Sequence, residues 1–384
     1  MTIALRRPML APPMRLLAVG IALLLALMAM LAVAGVLSQP MPFLSTTARP
    51  ENGITLFERA GDLWTVDTLD GEPRLLFGTT AVEEGPDWLP DGSRLSYLRG
   101  EGVARGLITT LPDGSDPRVL VEGLRDVSTY WWRPDSTGVL VLSASMDDPG
   151  TLRARLVAAD GSGAEVLDLG GFVPDAVYWY PDSSAFLVRV MTPDGAELRR
   201  YDVGSRRLGD PILSSDPDGP LYATERGRSD LLQPVVNRDG SIFFNQGLTL
   251  DGPHELIFGG NPSRDFLADA DGGNVRMVEF SPAADYEDGT WFSPDGTRLS
   301  LVSRTGRFHQ LVVMDADGSE PIVATERLDD PAGGLTSIWL PDSSGVLIVR
   351  DEFDEVSRVD AKTGERTVLP WKTTAYPVTQ PIWN

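Results

Sequence analysis

The sequence predicts an all-β chain, a β-propeller of seven four-stranded blades, and three observations carry that reading. A Trp-x-Pro-Asp element recurs from residue 88 to residue 342. A second apolar hairpin built on an Asp-Gly-type turn accompanies most copies. The steps between copies, taken at the Asp, are 44, 47, 57, 56 and 47 residues. An all-β period of about 40 to 50 residues is the signature of one four-stranded blade per repeat.

The first element is a strand, a tight turn and a second strand. Its copies centre on Trp88 and Asp91, Trp132 and Asp135, Trp179 and Asp182, Trp291 and Asp295, and Trp339 and Asp342. A decayed copy stands at Asn237-Arg238-Asp239-Gly240. Pro presets φ for the second turn position, Asp bonds its own downstream backbone, and Gly or Ser takes the tight exit. The Val, Leu and Phe runs that follow fit strands buried on both faces. A tryptophan fixed one strand before a turn is read as packing between adjacent sheets, in preference to an aromatic ligand cage in the channel.

The second element is visible in "LITTLPDGSDPRVLV" from Leu107, "RLVAADGSGAEVL" from Arg155, "LVVMDADGSEPIVA" from Leu311 and "VSRVDAKTGERTVL" from Val356. In this order the two elements resemble the repeats of TolB-like propellers, over about residues 51 to 384. The resemblance implies the propeller fold and, commonly, an interaction platform at the cell envelope. It names no partner, since this repeat serves many roles.

The ends of the repeat region suggest ring closure. The segment Ile54 to Phe77 supplies three strands without a Trp-x-Pro-Asp strand before them, and Pro381-Ile382-Trp383-Asn384 looks like the missing one. A C-terminal strand completing the first blade would remove two free sheet edges. Six motif-led blades and this composite make seven; six blades with one divergent copy as an insertion is the alternative.

Ahead of the ring, residues 1–15 carry Arg6, Arg7 and Arg15 and no acid, and Leu16 to Leu37 run without a charge. That length spans a bilayer core, and the flanking arginines orient the tail inward. The chain is therefore expected to have a cytoplasmic tail (1–15), a transmembrane helix or signal peptide (16–37), a Pro-rich linker (38–50) and an extracytoplasmic propeller (51–384). An uncleaved anchor in the cell membrane is favoured because the apolar stretch outruns an ordinary signal core. Cleavage near Ala34, giving a secreted or periplasmic protein, is the alternative.

Charge divides at the same place. The chain has 33 basic and 55 acidic residues; four of the basic ones fall in residues 1–50 with no acid, leaving 29 against 55, a net of −26 for the rest. Such a surface disfavours nucleic acid as a partner. There is no cysteine, so ring closure must be noncovalent and thiolate chemistry is excluded.

No motif for chemistry stands out. Only His254 and His309 occur, without ligand spacing, and there is no G-x-S-x-G. The prolyl oligopeptidase arrangement of propeller plus hydrolase is set aside because no α/β segment follows the ring. The turns Asp269-Ala270-Asp271-Gly272 and Asp315-Ala316-Asp317-Gly318 supply too few oxygens for an EF-hand-type calcium loop and read as hairpin turns. No cofactor is expected, and a structural calcium ion in the channel stays compatible with the sequence. The acidic runs Asp285-Tyr286-Glu287-Asp288 and Asp351 to Glu355 read as solvated loops rather than paired catalytic carboxylates.

Two repeat spacings are longer than the rest, and insertions in repeat proteins map to binding-face loops. The segments Asp210–Asp230 and Ser281–Gly289 therefore supply the binding-face candidates Tyr222, Arg226, Arg228, Asp285, Tyr286, Glu287 and Asp288. The functional expectation is a membrane-anchored, non-enzymatic platform for an envelope protein or small ligand. The alternatives are a carboxylate-based glycosidase or lyase at the channel mouth, and a small-molecule sensor.

Overall fold

The computed structural model describes residues 54–379 except 78, 102–103, 146–147, 173, 175, 193–194, 215–226, 251–262, 279–285, 306–307, 326–327, 330–334, 351–354 and 374–376. Among these residues every regular element is a strand, and no helix is long and apolar enough to cross a membrane. The apolar stretch 16–37 and Trp383 lie outside them.

The strands form seven antiparallel blades. Blade 1 comprises Thr55–Arg59, Asp62–Val66 and Arg74–Leu75, with Val378–Thr379 added on the free side of Thr55–Arg59. Blades 2 and 3 share one strand, Arg118–Trp132. Its first half pairs with Ala104–Thr110 as the last strand of blade 2, and its second half pairs with Gly138–Ser145 as the first strand of blade 3. Blades 4, 5, 6 and 7 begin at Ala176, Gly227, Tyr286 and Leu335.

Packing closes these sheets into a ring. The second strand of each blade is apolar on both faces and sends alternate residues to its two neighbours, as period-two geometry requires. In blade 3, Val139 and Val141 join Leu98 and Leu107 of blade 2, while Leu140 and Leu142 join Phe186 and Val188 of blade 4. Equivalent cores join blades 1 and 2, 4 and 5, 5 and 6, and 6 and 7. A further core of Phe57 and Val66 with Val349 and Val356 joins blade 7 to blade 1. Seven blades with seven such interfaces make a closed ring.

The Pro-Asp turns form as their residues dictate. The amides of Gly92, Ser136, Ser183, Gly240, Gly296 and Ser343 each donate to the carbonyl three residues back. The turn Asp then accepts from the Ser or Thr two residues on, as Asp135 does from Thr137 N–H at 3.0 Å and Thr137 Oγ1 at 2.7 Å. Asn237 to Gly240, decayed in sequence, makes the same turn. The exit position needs positive φ, which Gly adopts freely. Ser136, Ser183 and Ser343 adopt it too, at φ of 58°, 59° and 60°. Each of these serines accepts a hydrogen bond from the turn of the preceding blade: Asp91 N–H to Ser136 Oγ at 2.9 Å, Asp135 to Ser183 at 3.0 Å and Asp295 to Ser343 at 3.1 Å. Backbone strain at the serine is offset by a latch between blades.

Ring closure uses a C-terminal strand, seen at Val378–Thr379, while Pro381–Asn384 lie outside the described residues. Thr379 pairs with Thr55 and Val378 with Leu56. The extended segments also exceed expectation. The acidic stretch after Asp285 is strand rather than loop, with Tyr286, Glu287 and Asp288 opposite Arg304, Ser303 and Val302. Its partner Arg298–Thr305 offers a long row of backbone groups, and pairing them outweighs the poor strand propensity of Asp and Glu. Likewise Asp210–Ser214 ends the last strand of blade 4, and Gly227–Asp230 begins the first strand of blade 5, placing Arg228 opposite Thr249. Tyr222, Arg226 and Asp285 lie outside the described residues.

Candidate functional site

One position breaks the tryptophan pattern. Trp88, Trp132 and Trp339 are buried, each in the core shared with the preceding blade, and Trp179 packs against the core between blades 3 and 4. Trp291 instead is 49% exposed. Register explains the difference: Trp88, Trp132, Trp179 and Trp339 pair with the residue four after the turn Asp, and in blade 6 that partner, Leu299, belongs to Phe292. Phe292 holds the packing position, against the core between blades 5 and 6. Trp291 stands one residue earlier, and a one-residue slip turns a side chain to the other face.

Trp291 lines a cavity of about 630 Å³. Its walls come from the ends of the first strands of blades 2 to 6 and from the prolines of their turns, Pro90, Pro134, Pro181 and Pro294. First strands of five successive blades meet only around the ring axis, so the cavity is the channel mouth on the face that carries the Pro-Asp turns. Eight aromatic residues line it: Trp88, Tyr130, Trp131, Trp132, Tyr178, Trp179, Trp291 and Phe292. The polar lining includes Asp87, Asn237, Arg238 and Ser293. This size and composition match small-ligand sites, which are mostly apolar with a few placed polar groups.

Backbone irregularities aim these residues. In blades 2, 3, 5 and 6 the first strand slips register and resumes pairing at Asp87, Thr129, Val235 and Trp291, all but Thr129 on the cavity wall. Bulges bend a strand and re-aim its side chains. The first strands of blades 4 and 7 run without a slip.

Asp87 is held at the junction of blades 2 and 3. Its Oδ1 accepts the Trp88 N–H at 2.8 Å. Beside it, Tyr130 Oη donates to the Gly85 carbonyl at 2.7 Å, and Trp132 Nε1 donates to Ser96 Oγ at 2.8 Å. Ser96 Oγ lies 3.2 Å from both the Asp87 carbonyl and Tyr130 Oη, close enough to donate to either. Burial raises the Asp87 carboxyl to about 7, only partly opposed by the Trp88 amide. Burial also pushes the Tyr130 hydroxyl well above its ordinary range, with the Asp87 charge adding to the effect.

Trp179 lacks the acceptor that Trp132 enjoys. Five residues after the turn Asp of the preceding blade, Trp132 finds Ser96, whereas Trp179 faces blade 3, where that position is Leu140. Its buried Nε1–H has no hydrogen-bond partner. Arg133 lies over its ring at 5.7 Å, and Phe186 meets it edge-on at 4.9 Å.

The other polar groupings pair among their own residues. A cleft of about 250 Å³ between blades 5 and 6 carries Asp239, Asp269 and Asp317. Their carboxylates accept from Ser241, Asn274 and Ser319 respectively. Glu83 pairs with Arg99 at 3.2 Å and Glu84 with Arg105 at 2.5 Å. Glu355, at the end of one acidic run, is paired with Arg366 and lies 3.8 Å from Arg350. Among the described residues no three His, Asp or Glu side chains gather as a metal site.

No protein-family model matches the chain, and no characterised protein matches it as a relative. Among solved structures it is similar to TolB from Acinetobacter baumannii, at 15% identity over 86% of this chain and 67% of that one, with a TM-score of 0.48. It is similar to a prolyl endopeptidase at 12% identity, over 87% of this chain and 51% of that one, TM-score 0.59. An oligogalacturonate lyase in complex with manganese matches at 16% identity over 82% and 84%, TM-score 0.56. The chain is a seven-bladed β-propeller. At these identities the likeness reaches the fold and stops there, and the chain spans about half the length of the prolyl endopeptidase.

Sequence reasoning raised the channel mouth only as the seat of an alternative enzyme and assigned no residues to it, because convergence of five strands is tertiary. One signal was available: Trp291 stands four residues before its turn Asp, while the other four tryptophans stand three before theirs.

Proposed function

We propose that this propeller is a binding platform on the outer side of the cell membrane, held there by residues 16–37, with its channel mouth as the recognition site. The observation that carries this reading is the aromatic cavity itself, assembled from five blades and open to solvent at Trp291. Aromatic side chains supply large, rigid contact area and dominate interface energetics. The charge-free stretch 16–37 behind an arginine-bearing tail supports the membrane location. The net of −26 beyond residue 50 supports a partner that is not nucleic acid.

A carboxylate-based enzyme would draw on Asp87, whose raised pKa suits a general acid. Glycoside hydrolysis ordinarily takes two carboxyl groups facing one bond. The described lining supplies one, so the platform reading is preferred.

The test is in-cell photo-cross-linking of the full-length chain from a photoreactive residue at position 238, on the exposed rim of the mouth. The expected result is capture of a defined envelope component that is lost in Trp291→Ala and absent from a control site at position 166 on the outer strand of blade 3. Equal labelling from both positions, or capture indifferent to Trp291, overturns the platform reading.

A further inference from the structure

We propose that the channel mouth binds an organic cation, an ammonium group seated between its aromatic walls and the carboxylate of Asp87. The inference rests on the platform reading and names the chemistry that the site selects.

Two independent features point to a cation. The faces of Trp and Tyr rings attract cations within about 6 Å, and aromatic enclosures recognise quaternary ammonium groups. Trp131, Tyr178 and Trp291 bring such rings to one cavity from blades 3, 4 and 6. Blade 2 contributes Asp87 to the same lining, and the bonds described above engage only one of its oxygens, by the adjacent backbone amide. A carboxylate removed from bulk water interacts more strongly with an incoming charge than one on the surface does. The net of −26 beyond residue 50 adds long-range attraction for a positive ligand.

Arg238 is the opposing charge in the lining. It is exposed, so water and salt screen it, whereas Asp87 sits partly enclosed in the wall. Its presence sets a direction: removing it should strengthen cation binding.

The probe is choline, compared with its neutral carbon isostere 3,3-dimethylbutan-1-ol, by calorimetric titration of the full-length chain in maltoside detergent at low salt and pH 8, above the range in which the Asp87 carboxyl holds its proton. Choline is expected to bind at least about tenfold tighter than the isostere, because only the charge differs. Trp291→Ala and Asp87→Asn should each weaken choline binding by about tenfold or more, and Arg238→Ala should tighten it. Trp291 is exposed and Asn replaces Asp87 with the same shape, so neither variant threatens the fold. Nα-acetyl-lysine amide, titrated alongside, separates the two sources of this chemistry. Tighter binding of choline assigns a small quaternary amine, and tighter binding of the lysine derivative assigns a lysine side chain on a partner.

Equal affinity for choline and its isostere, no binding of either cation at millimolar concentration, or unchanged affinity in Asp87→Asn overturns the inference. Cross-linking from position 238 that persists alongside such a result leaves the platform standing and removes only the cation. Loss of both removes both.

Discussion

The indole of Trp371 stacks on Phe57 with ring centroids 5.3 Å apart and planes 13° from parallel, joining the end of the chain to its first blade. Its Nε1 donates to the Leu69 carbonyl at 2.7 Å across 302 residues of sequence. Two residues on, Thr373 Oγ1 donates to the Glu58 carbonyl at 3.2 Å. Trp371 also sits in the core between blades 7 and 1. In a ring without cysteine, this buried side chain and the pairing of Val378–Thr379 fasten the circle. Closing the sheet removes free edges that would otherwise recruit other chains.

Trp371→Ala is therefore expected to destabilise the ring by about 3–5 kcal/mol, the usual cost of emptying a buried aromatic site. Deleting Tyr376 to Asn384 should also lower the melting temperature, by removing the closing strand. Thermal unfolding followed by circular dichroism measures both. An unchanged transition in either would mean that the blade cores alone hold the circle.

The serine latches separate two effects of one residue. Ser183→Ala keeps a side chain at φ 59° and takes the acceptor from Asp135 N–H, so a loss of about 1–3 kcal/mol is expected. Ser183→Gly also takes the acceptor but relieves the left-handed backbone, which costs an L-residue about 1–2 kcal/mol. Glycine should thus be the milder substitution, the reverse of its usual effect in a strand protein. Urea titration of the two variants decides the order, and alanine proving the milder would show that the left-handed backbone costs little at this position.

Register sets the cost of losing a tryptophan. Trp339 is 5% exposed and donates from Nε1 to the Trp291 carbonyl at 3.0 Å, so Trp339→Ala should cost about 3–5 kcal/mol. Trp291→Ala removes a half-exposed ring and leaves that carbonyl in place, so a change near the surface range of about 0.5 kcal/mol is expected. Comparable losses in the two would place Trp291 in the core after all. A related contrast concerns Trp132 and Trp179: Trp132→Phe sacrifices a hydrogen bond to Ser96, whereas Trp179→Phe removes a donor that has no acceptor, so the first should be the costlier.

These cases show what the sequence makes legible. Blade number and order follow from local chemistry, since each Pro-Asp turn and each apolar second strand is specified within about ten residues. Closure by a C-terminal strand was readable because the first blade lacks a leading strand. Its register was not, because the pairing of Val378 with Leu56 is a property of two segments 322 residues apart. The channel mouth was obscured differently. Asp87 looks like any polar residue beside a repeat tryptophan, and the slip that resumes pairing at it is a property of two strands together. The seven named loop candidates fell where insertions were counted, yet four of them, Arg228, Tyr286, Glu287 and Asp288, lie in strands. Counting residues between repeats finds extra length without saying whether that length is loop or ladder.

Asp87 gives the fold a pH dependence of unusual sign. Its carboxyl rises from 3.8 to about 7 on folding, because burial disfavours the charged form more than the Trp88 amide supports it. The folded chain therefore holds this proton more tightly than the unfolded chain does. The resulting stabilisation is complete below the unfolded value, near pH 4, and is lost as pH rises to about 7, above which the loss is constant. Most native carboxylates act the other way, and Asp113, Asp160 and Asp317, held below their ordinary range chiefly by hydrogen bonds from Ser115, Ser162 and Ser319, are examples here. Burial also raises the Glu58 carboxyl, and Asp87→Asn isolates Asp87, because the amide cannot ionise. Its stability relative to the parent should climb between pH 4 and pH 7, reaching a gain of about 1–3 kcal/mol at pH 8 once channel water is allowed for. Near pH 4 the two chains should unfold almost alike. Denaturant titrations at pH 4, 6 and 8 provide the comparison, and a difference that stays flat with pH would mean that Asp87 is ionised in the folded channel at no cost.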